Sequence, residues 1–255
     1  MPRVTSRDGT PIAYDRQGAG PPVILVGGGL DEGSENAPLA TELADRFTVY
    51  NYARRGRGES GDTAPYAVER ELADLEALIG QAGGSAHVYG VSSGGMFAFE
   101  AAAAGLAIRR LGVYEVPYDT TAGATQRNQA YREQLRAALA QGRRGDAVEL
   151  FMRLAGSSDE DIAGARSSPH WRGLEKLAHT LAYDAACYGP PPADRLATIT
   201  QPTLVLTGGG AAFFELAADA VAAAVPGAER VVLEGQGHVA DPKAVATALE
   251  RFLDA

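Results

Sequence analysis

The sequence predicts an α/β fold: a mostly parallel, twisted sheet of about eight strands with helices on both faces, interrupted after the sixth strand by a helical cap. Three observations predict it. Strand-like apolar runs and helical stripes alternate regularly up to residue 114, as parallel strands joined by crossover helices require. The short apolar run at residues 85–91 passes through Gly90-Val91-Ser92-Ser93-Gly94 straight into an alanine-rich run with no helix breaker before Gly105. From residue 118 to about 198 the patterns are helical only, and then the strand signals resume.

In chain order, Asp8-Gly9 is a hairpin signal between two strands, Arg3 to Ser6 and Pro11 to Arg16. Val23 to Val26 is a fully apolar strand ending in Gly27-Gly28-Gly29. Three glycines at a strand end let backbone NH groups turn inward without side-chain obstruction, as an oxyanion hole needs; a plain flexible turn is the alternative. A helix over about Glu35–Ala44 and a strand over Phe47–Asn51 follow, and Val68, Leu72, Leu75, Leu78 and Ile79 make one stripe on a helix that faces a sheet. After the organising strand and helix comes a strand at Arg110–Tyr114, running into Glu115-Val116-Pro117. Helices are expected at Gln126–Gln141, Gly145–Leu154, Asp159–Arg166 and Trp171–Tyr188, closed by Pro190-Pro191-Pro192. A strand at Thr203–Thr207, a helix at Phe213–Val225, a strand at Arg230–Leu233 and a helix at Pro242–Leu253 complete the chain. The expected division is a core of residues 1–117 and 199–255 and a cap of residues 118–198, placed to cover a site.

Composition excludes several functions. The chain has 255 residues, 45% hydrophobic and 22% charged, which suits one core with an insertion. A net charge of -9 gives no basic face for nucleic-acid phosphates. Cys187 is the only cysteine, so no internal disulfide forms, and no Cys/His spacing resembles a zinc site; no metal or other cofactor is expected. With no charged-then-apolar leader at Met1 and no apolar run of membrane-spanning length, the expectation is a cytoplasmic monomer or homodimer that meets a small-molecule substrate and no membrane.

The chemistry gathers around Ser92. In Gly90-Val91-Ser92-Ser93-Gly94 the turn from strand to helix is too tight for side chains at the flanking positions, which forces Ser92 into a strained, exposed pose at a helix N-terminus. A serine that merely caps the helix is the competing reading. Tyr52-Ala53-Arg54-Arg55-Gly56-Arg57-Gly58-Glu59-Ser60 is a polar loop whose arginines read as braces for the loop, with substrate ligands the second reading, and Gly235-Gln236-Gly237-His238 precedes the last helix.

Taken in order, the glycine-rich turn after the third strand, the Arg-Gly-x-Gly loop, the Ser92 elbow and the Gly-x-Gly-His loop resemble the α/β-hydrolase family over essentially the whole length. The resemblance implies Ser92 as nucleophile and His238 as the general base that takes its proton, with the NH of Ser93 and one from the Gly28-Gly29 turn as oxyanion hole. Three positions depart from the family's pattern: Ala53 for an aspartate, Gly27 for a histidine, and Ala211 for the aspartate that usually follows the strand ending here at Thr207. The family's second arrangement puts the acid at the end of the strand after the elbow, where this chain has Glu115; the alternatives are a Glu115 that only bonds the cap and a dyad without an acid. Phe213 and Phe214 could wall an apolar pocket. Trp171 reads as cap core or substrate platform, and His179 with Tyr183, one helical turn apart, as a pocket pair or a solvated surface.

The resemblance therefore implies a serine hydrolase of a small carboxylic ester or lactone. Lyase, cyclase or isomerase chemistry, with Ser92 and His238 only moving protons, is the second reading, and a non-catalytic ligand-binding protein the third.

Overall fold

The computed structural model describes residues 1–254; Ala255, the last position of the expected core range, lies outside them. Two antiparallel strands, β1 (Arg3–Thr5) and β2 (Pro11–Gln17), open the chain around Gly9, whose φ of 86° suits the turn. Then come β3 (Pro22–Val26), α1 (Ala37–Leu43), β4 (Thr48–Tyr52), α2 (Val68–Gln81), β5 (Ala86–Val91), α3 (Ser93–Ala103) and β6 (Ile108–Tyr114). The helical stretch holds α4 (Ala124–Ala140), α5 (Arg144–Leu154), α6 (Asp159–Ser167), α7 (Trp171–Leu177), a 3-10 turn (Ala178–Thr180), α8 (Leu181–Asp184) and α9 (Ala193–Leu196). β7 (Thr203–Gly209), α10 (Ala212–Ala224), β8 (Glu229–Gln236) and α11 (Pro242–Leu253) finish the fold.

The eight strands form one sheet in the order β1-β2-β4-β3-β5-β6-β7-β8. β2 meets β4 antiparallel, and every pairing from β4 through β3 to β8 is parallel. Side chains alternate across a strand, so β3 supplies both layers: Ile24 and Val26 join Leu75 and Leu78 of α2 and Met96 and Phe97 of α3, while Val23 and Leu25 join Leu39 and Leu43 of α1 and Leu249 and Phe252 of α11. A third cluster, with Tyr131, Leu135, Val148 and Leu181 at its centre, forms the interior of the helical stretch.

Beyond shifted ends and the short unexpected helix α9, two of the differences from expectation have local reasons. The helix expected over Trp171–Tyr188 is broken at the 3-10 turn, where the Thr180 hydroxyl donates to the Leu177 carbonyl at 2.8 Å and tightens the chain. α1 begins at Ala37 rather than near Glu35, with Pro38 in its first turn, because the Asp31 carboxylate already accepts the Gly33 and Glu35 NH groups in the preceding turn.

His87 is buried in β5 with its ring edge-on to Phe47. Burial, reinforced by Arg109 and Arg110, pushes its pKa down to about 4, so the fold holds it neutral while an unfolded chain binds a proton below about 6.5. A depressed folded pKa gives stability that is present above pH 6.5 and lost as pH falls towards 4. The expected result is a lower urea midpoint at pH 5 than at pH 7.5, and a smaller drop in His87→Leu; an identical drop in both proteins would rule His87 out as its source.

Candidate active site

Ser92 occupies the N-cap position of α3 with φ 55° and ψ -129°, in the left-handed half of backbone space where a side chain is strained. Its side chain makes no capping bond, so the hydroxyl is not spent on the helix. Tight contacts fix the pose. A Cβ at Gly90 would stand 2.6 Å from the Gly94 carbonyl oxygen, and one at Gly94 would collide with the Val26 and Gly27 carbonyls. The Ser92 NH donates to the Tyr114 carbonyl at 2.9 Å, tying the elbow to the end of β6.

Glu115 follows Tyr114 and also has positive φ, 45°. Its NH donates to the Leu206 carbonyl at 3.0 Å, and its Oε1 accepts from the Gly208 NH at 3.1 Å. The other carboxylate oxygen, Oε2, lies 2.7 Å from His238 Nδ1. A proton on Nδ1 makes that contact a hydrogen bond to a carboxylate, which holds the ring and leaves Nε2 free to accept a proton. The His238 ring stacks on Phe214 with centroids 4.8 Å apart and planes 8° apart, and the Tyr114 hydroxyl donates to the neighbouring Gly237 carbonyl at 2.6 Å. The carboxylates after Ala211 are engaged elsewhere. Glu215 accepts from the Gly209 NH at 3.1 Å and pairs with Arg230, and Asp219 also faces Arg230.

Ser92, His238, Gly28, Gly29, Phe213 and Phe214 all line one cavity of about 840 Å³, between the strand ends and the helical stretch. Gly28 lies directly against the nucleophile candidate, since a Cβ there would stand 3.1 Å from Ser92 Cβ. Ser93 opens α3, and the first NH groups of a helix have no intrahelical acceptor. A serine hydroxyl, an imidazole with a carboxylate at its Nδ1 and the first NH groups of a helix, the kinds of group that acid–base and oxyanion chemistry uses, thus lie around one cavity.

Three residues for which a substrate contact is one of two readings, Trp171, His179 and Tyr183, do not line this cavity. Trp171 is buried in the interior of the helical stretch under the Arg166 guanidinium, and it does not line the cavity. The Tyr183 hydroxyl donates to Asp62 at 2.7 Å and its ring stacks on Tyr66 at 4.0 Å, while His179 Nε2 lies 3.4 Å from the same Asp62 carboxylate. These two residues clamp the helical stretch to the loop before α2, because a helix face that does not meet the cavity meets the sheet domain instead. Trp171→Ala is accordingly expected to destabilise the fold by about 3–5 kcal/mol in a denaturant titration while leaving KM for any substrate unchanged. A raised KM with full stability would return Trp171 to the cavity wall.

Other cavity residues carry no sequence signal. Tyr131 and Asn128 on α4 and Phe151 on α5 line the cavity from the helical stretch, and Glu35 lines it from the loop before α1. Burial pushes the Glu35 carboxyl above its ordinary range, and the Asp31 charge adds to that. Among the described residues, no cluster of three or more His, Cys, Asp or Glu could hold a metal ion, and no helix is long and apolar enough to cross a membrane.

The profile of the "Alpha/beta hydrolase family" matches residues 10–248. The crystal structure of an alpha/beta hydrolase from Sphaerobacter thermophilus is 47% identical, with a TM-score of 0.90 over 99% of this chain and 100% of that one. A thermophilic esterase from Thermogutta terrifontis superposes with a TM-score of 0.71 at 25% identity over 99% and 97%. The pimeloyl-[acyl-carrier protein] methyl ester esterase of Xanthomonas campestris is 29% identical across 93% of this chain and 97% of its own length.

Proposed function

Because the chain belongs to the alpha/beta hydrolase family, we propose that it hydrolyses a small carboxylic ester or lactone through an acyl-enzyme on Ser92. The observation that carries the reading is the Glu115 carboxylate 2.7 Å from His238 Nδ1, on a ring that lines the same cavity as Ser92. A serine hydroxyl is a poor nucleophile at neutral pH, and an oriented imidazole with a carboxylate behind it activates it. Ser92 Oγ attacks the carbonyl carbon as its proton passes to His238 Nε2, and the carbonyl oxygen becomes an oxyanion held by the Ser93 NH and the Gly28-Gly29 turn. Collapse breaks the acyl–oxygen bond, with His238 returning the proton to the leaving alkoxide. Water, deprotonated by His238, then attacks the acyl-enzyme; collapse frees the carboxylate and restores Ser92. The Glu115 carboxylate, 2.7 Å from Nδ1, stabilises the imidazolium.

Residues 118–198 act in this reading as a cap that encloses the substrate, and Tyr131, Asn128 and Phe151 supply its wall. A cavity of about 840 Å³ suits a small molecule, and Phe213, Phe214, Leu39 and Val245 suit an apolar acyl or alcohol group. The Xanthomonas relative brings carboxylic methyl esters into the first substrate screen, alongside lactones. A carboxylate beside His238 favours the acyl-enzyme over the reading in which Ser92 and His238 only move protons.

Intact-protein mass after exposure to a fluorophosphonate tests the proposal. A single adduct on the native chain, absent from Ser92→Ala and His238→Ala, supports an activated serine; a folded native chain that takes no adduct refutes the acyl-enzyme.

A further inference from the structure

The turn that carries Gly28 and Gly29 is held from behind by buried charge. Arg57 donates through one terminal nitrogen to the Gly28 carbonyl, and Arg54 Nη1 reaches the Gly27 carbonyl at 3.4 Å. Both guanidiniums converge on Asp184, the last residue of α8: Arg57 Nη2 lies 2.9 Å from each carboxylate oxygen and Arg54 Nη1 2.7 Å from Oδ1. The Ser93 hydroxyl donates to the same Oδ1 at 3.0 Å. Arg54 is completed by Glu71 at 2.5 Å, and Glu71 by the Tyr66 hydroxyl at 2.8 Å. Arg54, Arg57, Glu71 and Asp184 are all buried.

A trans peptide points its NH opposite to its carbonyl oxygen. With the Gly27 and Gly28 carbonyls held at the guanidiniums, the Gly28 and Gly29 NH groups of the same two peptides face the other way, on the side of the cavity those glycines line. We propose that Asp184, with Arg54 and Arg57, is a positioning device that aims the oxyanion-hole NH groups and so makes hydrolysis depend on the docking of the helical stretch. The inference rests on the acyl-enzyme reading above. Asp184 fits the task because one carboxylate from the helical stretch fixes two arginines of the loop after β4 and the first side chain of α3 together. Burial alone would raise its pKa; Arg57 and Arg54 outweigh that and hold it below the usual carboxylate range, so the clamp stays charged.

Fluorophosphonate reaction rates test this without a known substrate, because the phosphonyl oxygen occupies the oxyanion hole. Arg57→Lys and Asp184→Asn are expected to lower the maximal rate of adduct formation about 30- to 100-fold, with the half-saturating concentration within about threefold of native. Arg55→Lys is the control for a purely structural effect. Arg55 is equally buried in the same loop but bonds Asp74 and Asp8 and does not touch the turn, so its maximal rate should stay within about threefold of native. Should Arg57→Lys and Asp184→Asn fail to fold, Ser93→Ala removes one hydroxyl from the clamp and is expected to slow adduct formation about fivefold. Variants that fold and react at the native rate, or an Arg55→Lys as slow as Arg57→Lys, would overturn the inference while a labelled native chain keeps the acyl-enzyme reading. A native chain without an adduct overturns both.

Discussion

Ser92→Ala is expected to lower ester or lactone turnover by about 10⁴-fold or more, because in the proposed mechanism the nucleophile and the proton that His238 takes disappear together. The residual rate over water would come from binding and the oxyanion donors alone. Folding should be nearly unchanged, since Ser92 makes no side-chain capping bond and alanine keeps the same φ of 55°. Turnover by purified Ser92→Ala together with a thermal melt decides it. A stable variant that hydrolyses the substrate at the native rate would remove Ser92 from the chemistry.

Glu115→Gln is expected to cost on the order of 10³- to 10⁴-fold in kcat, as loss of the orienting carboxylate does in serine proteases. The amide keeps the shape of the side chain and can still accept from the Gly208 NH, so the loss reports the charge and the imidazole tautomer rather than the backbone at β7. Glu115→Ala removes that acceptor as well and should also destabilise the fold. The specific control is Glu215→Gln, which weakens a pairing with Arg230 and should leave kcat within about threefold, because its carboxylate bonds the Gly209 NH and Arg230, whereas that of Glu115 bonds His238. Unchanged turnover in Glu115→Gln would dismiss Glu115 as the acid.

The two acidic candidates separate for a physical reason. Ala211 stands where the family's pattern puts an aspartate, and the carboxylates just beyond it lie on α10 and face Arg230 of β8. Glu115 sits at the C-terminal end of β6, next to β7 in the sheet, and its φ of 45° turns the chain out of the strand there. The parallel register that pairs Tyr114 with Leu206 brings Glu115 beside Gly208 and within reach of the loop after β8.

What the sequence determined by itself was local. Alternating apolar runs and helical stripes specified an α/β sheet because each element's burial pattern repeats within a few residues. The glycines around Ser92 specified the elbow, since only glycine tolerates the backbone contacts at positions 90 and 94. The Gly-x-Gly-His loop and the carboxylate at the end of β6 were legible for the same reason, as each depends on its place in one element. The tertiary structure alone decided which side chains of the helical stretch meet the cavity. Tyr131 and Phe151 line it, and Trp171, His179 and Tyr183 do not, because helix rotation is fixed by packing against distant partners such as Asp62 and Tyr66. It also decided the contacts of Asp184, which lies on α8 far along the chain from Arg57 and Ser93. No sequence period links those positions, and only the closing of the helical stretch onto the sheet brings the carboxylate to both arginines and the elbow.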